Sequence, residues 1–390
     1  MDHQTQCELI EELLALKAAQ SAFLDERAVR VPVTHYTDET RFVNERAAIF
    51  HQVPLAAAHF SELSEPDQFI ARDLMGRSVL LTRDGQGDIH AFLNVCRHRG
   101  TRLVEHGAGC KKRFSCPYHA WTYSNQGALV AAPHFDAGFP ELDKAELGLT
   151  RLPVRELFGF IWVVLTPKTS PEMTPKMSPD LEIDFAAAFD GLAEDLTALG
   201  MADMTIVQET HELRRTNWKI LVEGGIEAYH FKVAHRATIG PYFEDNLSSY
   251  QCFGPHMRSI LARSSLTELT PETRPDWRLR DHANVLYTLF PASQLLVQQD
   301  HIVWVSQQPV APGETRLRLA TLVPQDQAAD TAHWERNHAI TLTTLSEDFA
   351  IGESIYANLD SGANTHLTFG RFEGALDRFN RTVESYLAHA

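Results

Sequence analysis

Between Asn94 and Trp121 the chain reads NVCRHRGTRLVEHGAGCKKRFSCPYHAW, in which Cys96-x-His98 and Cys116-x-x-His119 are separated by seventeen residues. Each short run offers one thiolate and one imidazole. Two of each, in this order, suit a [2Fe–2S] cluster in which two His replace two Cys on one iron. Because both halves mix the ligand types, two loops must close over the cluster from either side. Tetrahedral zinc takes the same donor set, although zinc sites more often pair Cys with Cys and His with His along the chain. Gly100, Gly107, Gly109 and Pro117 supply turn chemistry around the donors.

A length of 390 residues predicts two or three domains. A net charge of −16 without a long basic run argues against nucleic acid or an anionic membrane surface as partner. It suits a cationic substrate or a basic electron-transfer partner. Cys7, Cys110 and Cys252 show no disulfide-framework spacing. The start, MDHQTQCELIEELL, lacks the basic and apolar regions of a signal peptide. The longest apolar run, Phe160 to Leu165, is too short to span a bilayer. A reducing cytoplasm is the expected location.

Along the chain, Glu8 to Leu24 places Leu9, Leu13 and Leu16 at helical period. Thr37-Asp38-Glu39 reads as a second helix start, carrying Phe42, Val43, Ala47 and Phe50 inward. These N-terminal helices, 1–45, are expected to pack on the C-terminal domain without functional content. Strand signals then take over. Ser78–Arg83 and Ile89–Asn94 flank a hairpin turn at Asp84–Asp88, and Trp121–Ser124 and Ala128–Ala131 flank another at Asn125–Gly127. Leu157–Leu165 reads as one buried strand. The four donors thus sit on loops of a small antiparallel β domain, 46–165. Prolines at 167, 171, 175 and 179 make 166–180 a stiff connector. From 181 to 390 we expect helix at 183–198 and strands at Met204–Leu213, Asn284–Phe290, Gln294–Gln298, Ile302–Gln307 and Arg316–Val323. Helices at about 328–358 and 373–388 complete an α+β domain whose sheet curls around a long helix, leaving a pocket.

A second constellation lies in NWKILVEGGIEAYHFKVAH, residues 217–235. Spacing i, i+3 puts Glu227 and His230 on one helical face, with His235 just past the helix end. Two imidazoles and one carboxylate make the facial triad of non-heme Fe(II) oxygenases. By spacing alone, with 19 His in the chain, such a pair is more often surface or core histidines than ligands.

The CRHRG…CPYHAW wording resembles the Rieske motif of Rieske non-heme iron oxygenases, large-subunit family. Respiratory Rieske proteins add a disulfide between the loops; the matching positions here are Thr101 and Tyr118, which favours the oxygenase branch. In that family the iron signature runs Asn-Trp-Lys, Glu-Asn, an acidic residue, Tyr-His and a second His. Asn217-Trp218-Lys219, Glu223, Glu227, Tyr229-His230 and His235 follow it, while Gly224 replaces the usual Asn. The resemblance implies a Rieske cluster on Cys96, His98, Cys116 and His119. It implies a mononuclear Fe(II) on His230, His235 and Asp348, the last from LSEDFAIGESIYANLDSG, with Glu347 pointing elsewhere and serving as the fallback ligand. An acidic surface helix is the plain alternative for that segment.

The resemblance further implies a Rieske β domain joined to a helix-grip (START-like) catalytic domain, assembled as a homotrimer. Glu227 would link His230 to His119 of an adjacent copy. Glu rather than Asp at this place is similar to members oxidising quaternary ammonium compounds, for which Tyr229, Tyr242, Phe243, Tyr287, Phe290 and Trp304 are candidate cage residues. The implied activity is O₂-dependent oxygenation of a small organic substrate. No dinucleotide fingerprint or four-Cys ferredoxin pattern is present, so electrons come from NAD(P)H through a separate reductase or ferredoxin. The competing expectations are a cis-dihydroxylating dioxygenase acting on an aromatic acid, a non-catalytic electron carrier with a ligand-binding domain, and a zinc-structured binding module.

Overall fold

The computed structural model describes residues 1–167 and 183–388. Pro171, Pro175 and Pro179 of the expected connector lie outside the described residues. The chain forms two compact units, Phe50–Ala188 and Met1–Ile49 with Phe189–Ala390.

In the first unit, Gln68–Leu74, Arg77–Arg83 and Ile89–Leu93 form an antiparallel meander, extended by Gly107–Cys110 at one edge and Arg151–Leu152 at the other. Asp84 closes the central hairpin by accepting from the backbone N–H groups of Gln86 and Asp88 at 2.9 and 3.0 Å. Arg113–Ser115, Thr122–Ser124 and Leu129–Ala131 make a small second sheet. Phe69, Leu80, Phe92, Phe114, Trp121 and Tyr123 fill the space beneath the cluster loops. Leu157–Leu165 is not one strand. Phe158 and Gly159 both adopt positive φ, 54° and 83°, and turn Val154–Leu157 back against Phe160–Val163. A two-residue hairpin loop with this handedness matches strand twist, so an unbroken apolar run conceals a reversal.

The second unit is built on a seven-stranded antiparallel sheet whose outer strands are Met204–Arg214 and Phe243–Phe253. Alternate residues Val303, Val305, Leu317 and Leu319 turn one face inward against Leu221 and Phe349. Phe349 belongs to the 28-residue helix Thr331–Asn358. His338 fastens that helix to the sheet: Thr210 and Thr321 meet its two ring nitrogens at 2.9 and 2.8 Å. This is the α+β arrangement expected of the C-terminal part. Two strands, Phe243–Phe253 and His256–Arg263, were not expected. Only Ala193–Ala198 of the 183–198 stretch is α-helical.

The N-terminal segment differs in phase from its sequence pattern. The first helix runs His3–Ala18, capped by Asp2, and buries Cys7, Ile10 and Leu13 while Leu9 and Leu16 are half-buried. Asp38 caps the helix Glu39–Glu45; Phe42 is buried, but Val43 and Ala47 face solvent. The reason is Glu45, a charged residue turned inward. Its carboxylate accepts from Lys219 Nζ at 2.6 Å, Trp218 Nε1 at 3.0 Å and Arg41 Nε at 2.9 Å. Glu45 and Lys219 side chains are each 1% exposed. Burial holds the Lys219 ammonium below its ordinary range even with Glu45 beside it.

Removing one member of a buried ion pair strands the other. Glu45→Ala is therefore expected to lower unfolding free energy by about 3–5 kcal/mol, read from the denaturant midpoint. A loss no larger than that of an exposed Glu→Ala control contradicts this role for Glu45.

Candidate active site and cluster loops

The two cluster loops have the same backbone design. Cys96 N–H donates to Thr101 O at 2.8 Å and Gly100 N–H to Cys96 O at 3.0 Å; Cys116 N–H donates to Trp121 O at 2.8 Å and Ala120 N–H to Cys116 O at 3.0 Å. The fourth residue after each Cys has positive φ, 78° at Gly100 and 58° at Ala120. Both thiols are buried, whereas His98 is half-buried and His119 exposed. The imidazole centroids lie 4.7 Å apart, and His98 stacks on Trp121 at 4.8 Å. No Cys among the described residues is in a disulfide.

Burial pushes the Cys116 thiol up, while backbone N–H groups of Tyr118 and His119 directed at its sulfur oppose that shift. Partial burial and neighbouring His119 lower His98, favouring the neutral ring a metal needs. Among the described residues, the one place where three His, Cys or acidic donors converge within 4.8 Å lies elsewhere in the chain. The two loops bring the His98 and His119 rings together above the buried Cys96 and Cys116. Tyr123 was missed from sequence. Its hydroxyl lies 3.5 Å from Cys96 Sγ and accepts from Arg97 N–H at 3.0 Å.

The convergent triad is His230, His235 and Asp348. Asn217 caps the helix Trp218–Gly225, the chain turns through Ile226–Tyr229, and a short helix Phe231–Ala234 separates the two His. Glu227 and His230 therefore do not share a helical face. Glu227 lies in the turn, where its carboxylate accepts from the N–H groups of Tyr229 and His230 and from His230 Nδ1. Gly224 and Gly225 end the helix rather than interrupt it. A Cβ on Gly225 would meet Gln294 Nε2 at 2.9 Å, so the close approach made there is to Gln294. Beyond His235, a Cβ on Gly240 would meet the His235 carbonyl at 2.8 Å, backbone that cannot swing aside.

Glu347 does not point elsewhere. It accepts from His235 Nδ1 at 2.7 Å and from the Thr238 hydroxyl at 2.6 Å. Each imidazole thus spends Nδ1–H on a carboxylate and turns Nε2 toward Asp348 Oδ1, at 3.3 Å for His230 and 2.8 Å for His235. Both Nε2 atoms are buried without a well-formed hydrogen bond. Buried atoms of this kind are rarely left unpaired, and the donor set fits a divalent cation held by two imidazoles and a carboxylate. Without one, protons stand in. Burial disfavours imidazolium, but the carboxylates of Asp348 and Glu227 outweigh it and raise His230 to about 10. The same contest raises His235, and the two rings hold Asp348 below the usual carboxylate range against its burial.

Behind the triad, Glu223 is fully enclosed. Tyr36 O–H and Asn380 Nδ2 donate to its Oε1 at 2.8 and 2.7 Å, and burial pushes it up to about 7. A cavity of about 630 Å³, whose lining includes none of the three triad residues, is bounded in part by Ile239, Thr341, Thr344 and Leu345. The last three precede Asp348 by seven, four and three residues on one helix, so they share its face. Of the six candidate cage aromatics, Tyr242 and Phe243 line this cavity. Tyr287 is buried against Asp195, Phe290 stacks on Tyr386, Trp304 bonds Ser293, and Tyr229 lies against Phe372.

A cluster-type pair of loops and a two-His-one-carboxylate centre on a helix-clasping sheet define the class of Rieske oxygenase large subunits. Residues 53–152 match the Rieske [2Fe-2S] domain and residues 201–389 the ring hydroxylating alpha subunit (catalytic domain). The chain belongs to that family. It is 30% identical over 233 residues to a carnitine monooxygenase oxygenase subunit of Escherichia coli (strain K12), covering 57% of this chain and 55% of that protein. It is 29% identical over 265 residues to a glycine betaine monooxygenase oxygenase subunit of Chromohalobacter salexigens, covering 67% and 56%. The chain thus spans little more than half the length of these curated relatives. The fold matches the quaternary ammonium Rieske monooxygenase CntA in complex with L-carnitine, with TM-score 0.75, 23% identity and coverage of 92% and 96%. No helix among the described residues is long and apolar enough to cross a membrane.

Carboxylates that orient metal-binding imidazoles contribute about ten- to a hundredfold to affinity or activity. Glu347→Ala is expected to weaken Fe(II) or Co(II) binding at the triad by about that factor, with the visible spectrum of the cluster unaltered. Equal affinity in a Co(II) titration refutes the assignment.

Proposed function

We propose that this chain is the terminal oxygenase component of a Rieske system and that it monooxygenates a small quaternary ammonium compound. Cys96, His98, Cys116 and His119 would hold a [2Fe–2S] cluster that supplies single electrons, and His230, His235 and Asp348 would hold an Fe(II) that uses them. The observation that carries this reading is the convergence of two buried Nε2 atoms, of His230 and His235, on Asp348 Oδ1. When bound, such a metal would supply O₂ activation, and these three residues would be its protein ligands. Glu227 and Glu347 hold the His230 and His235 rings in one tautomer and one orientation. Glu at 227, the acidic Asp281 and Glu268 on the cavity wall, and the printed activities of the relatives support a cationic substrate. Only two of the six candidate aromatics reach the cavity, so the reading does not rest on a cage. Electrons enter from a separate reductase or ferredoxin and ultimately NAD(P)H. The working form is a homotrimer in which Glu227 connects His230 to His119 of a neighbouring copy.

Purified protein is expected to hold about three irons and two acid-labile sulfides per chain, with a Rieske-type EPR signal after dithionite reduction. Two irons and two sulfides after anaerobic Fe(II) reconstitution would leave only an electron carrier. Glu227→Gln keeps the ring contact but removes the charge. It is expected to retain both metals and lower substrate-dependent O₂ uptake by about ten- to a hundredfold; unchanged, fully coupled turnover refutes the bridging role.

A further inference from the structure

Thr101 and Tyr118 occupy the places of the inter-loop disulfide of respiratory Rieske proteins, so no covalent bond joins the two cluster loops here. The backbone hydrogen bonds around Cys96 and Cys116 close each loop only upon itself. What fixes one loop against the other must therefore be side chains that cross between them. On the buried side, His98 stacks on Trp121 at 4.8 Å, and Arg97 N–H donates to the Tyr123 hydroxyl at 3.0 Å. Trp121 and Tyr123 are both buried. On the exposed side the crossing is made by Arg99. Its Nη1 donates to the Tyr118 hydroxyl at 3.1 Å, and the guanidinium carbon lies 5.2 Å from the centre of the Tyr118 ring.

The other two arginine side chains of the first loop are engaged elsewhere. Arg97 donates to Thr150 Oγ1 at 2.9 Å, and Arg102 pairs with Glu105 at 3.3 Å. Among the described residues Arg99 has no carboxylate within 4.0 Å, so its charge is not cancelled locally. Tyr118 in turn lies against His119, with ring centres 3.8 Å apart, and the His98 and His119 rings are 4.7 Å apart. The contact thus runs from the first loop to the exposed imidazole of the second. A planar guanidinium can give one ring both a hydrogen bond and a cation–π contact. Tyr118 remains 54% exposed, so this contact ties the rim of the loops without sealing it.

We propose that Arg99 and Tyr118 form a clasp that closes the two loops over the [2Fe–2S] cluster in place of a disulfide, and that the Arg99 charge favours the reduced cluster. Both are positioning residues, acting through the loops and their imidazoles. The clasp slows loss of the cluster from its exposed side. A cation beside the imidazole edge stabilises the form that carries one more electron, because net charge and exposure help set the potential of an iron–sulfur cluster. The proposal rests on the assignment of the cluster to Cys96, His98, Cys116 and His119. It is independent of the triad and of the substrate.

The test uses the full chain loaded with its cluster, kept anaerobic, and two readouts that need no turnover. One is the rate at which visible absorption is lost to an excess of ferrous chelator; the other is the reduction potential of the cluster. Arg99→Gln and Tyr118→Ala are each expected to speed cluster loss about tenfold. The double variant should be no faster than either, because the same contact is removed once. Tyr118→Phe keeps the ring and loses the hydroxyl, so its rate should fall between wild type and Tyr118→Ala; it carries the test if Tyr118→Ala takes up no cluster. Arg99→Gln should also lower the reduction equilibrium constant about threefold, ~30 mV at 59 mV per tenfold for one electron. Arg99→Lys should keep the potential but not the retention, a split that a purely structural role does not produce. Wild-type rates in Arg99→Gln and in the Tyr118 variants, or additive effects in the double variant, overturn the clasp. An unshifted potential in Arg99→Gln, or an equal shift in Arg102→Gln, overturns the role of the Arg99 charge. Full acid-labile sulfide in the wild type with unaltered variants removes only this inference, whereas a wild type that binds iron without sulfide removes the cluster reading itself.

Discussion

Three lone-pair donors, two imidazole nitrogens and a carboxylate oxygen, meet in the C-terminal unit with no proton donor of their own. Such a meeting is unfavourable unless a cation or extra protons occupy the centre, and the high affinity of His230 for a proton expresses that tension. Its geometry depends on the other side of each ring. Glu227 and Glu347 take the Nδ1–H bonds, so neither ring can flip without giving up a charge-assisted hydrogen bond.

Holding the centre requires rigid support for chain that is not itself regular. Glu227, His230 and His235 lie in turns and at the ends of a four-residue helix. What steadies them is the preceding helix, which buries Trp218, Ile220, Leu221 and Val222 and is also anchored by polar bonds. Lys219 and Trp218 bind Glu45, and Glu223 binds Tyr36 and Asn380. These partners come from the N-terminal segment and the last helix. Sequence reading had credited the N-terminal residues with no more than packing. Their contribution is to pin the helix from which the ligand turn hangs.

The donors themselves were legible because their chemistry leaves few alternatives and their spacing is local. Cys-x-His and Cys-x-x-His each lie within one loop, and the shared turn pattern around Cys96 and Cys116 follows from a few residues. The α+β architecture was legible for the same reason, since period-two runs and two long helices are local signals. Failures came where distant residues decide. The inward face of Glu39–Glu45 follows Glu45, which no apolar periodicity marks. Glu347 is expected to point elsewhere because adjacent helical residues diverge, which leaves it only a fallback ligand. Yet Asp348 reaches Nε2 of His235 while Glu347 reaches Nδ1 on the same ring, so neighbouring positions meet opposite sides of one imidazole. Strands Phe243–Phe253 and His256–Arg263 carry polar residues at positions that only the finished sheet assigns to one face or the other.

Those two overlooked strands also bear on selectivity. The triad is a donor set that suits a divalent cation, so it says little about what else enters the site. The cavity wall is free of that constraint. On it, a guanidinium is held by amides instead of by the carboxylates that share the cavity.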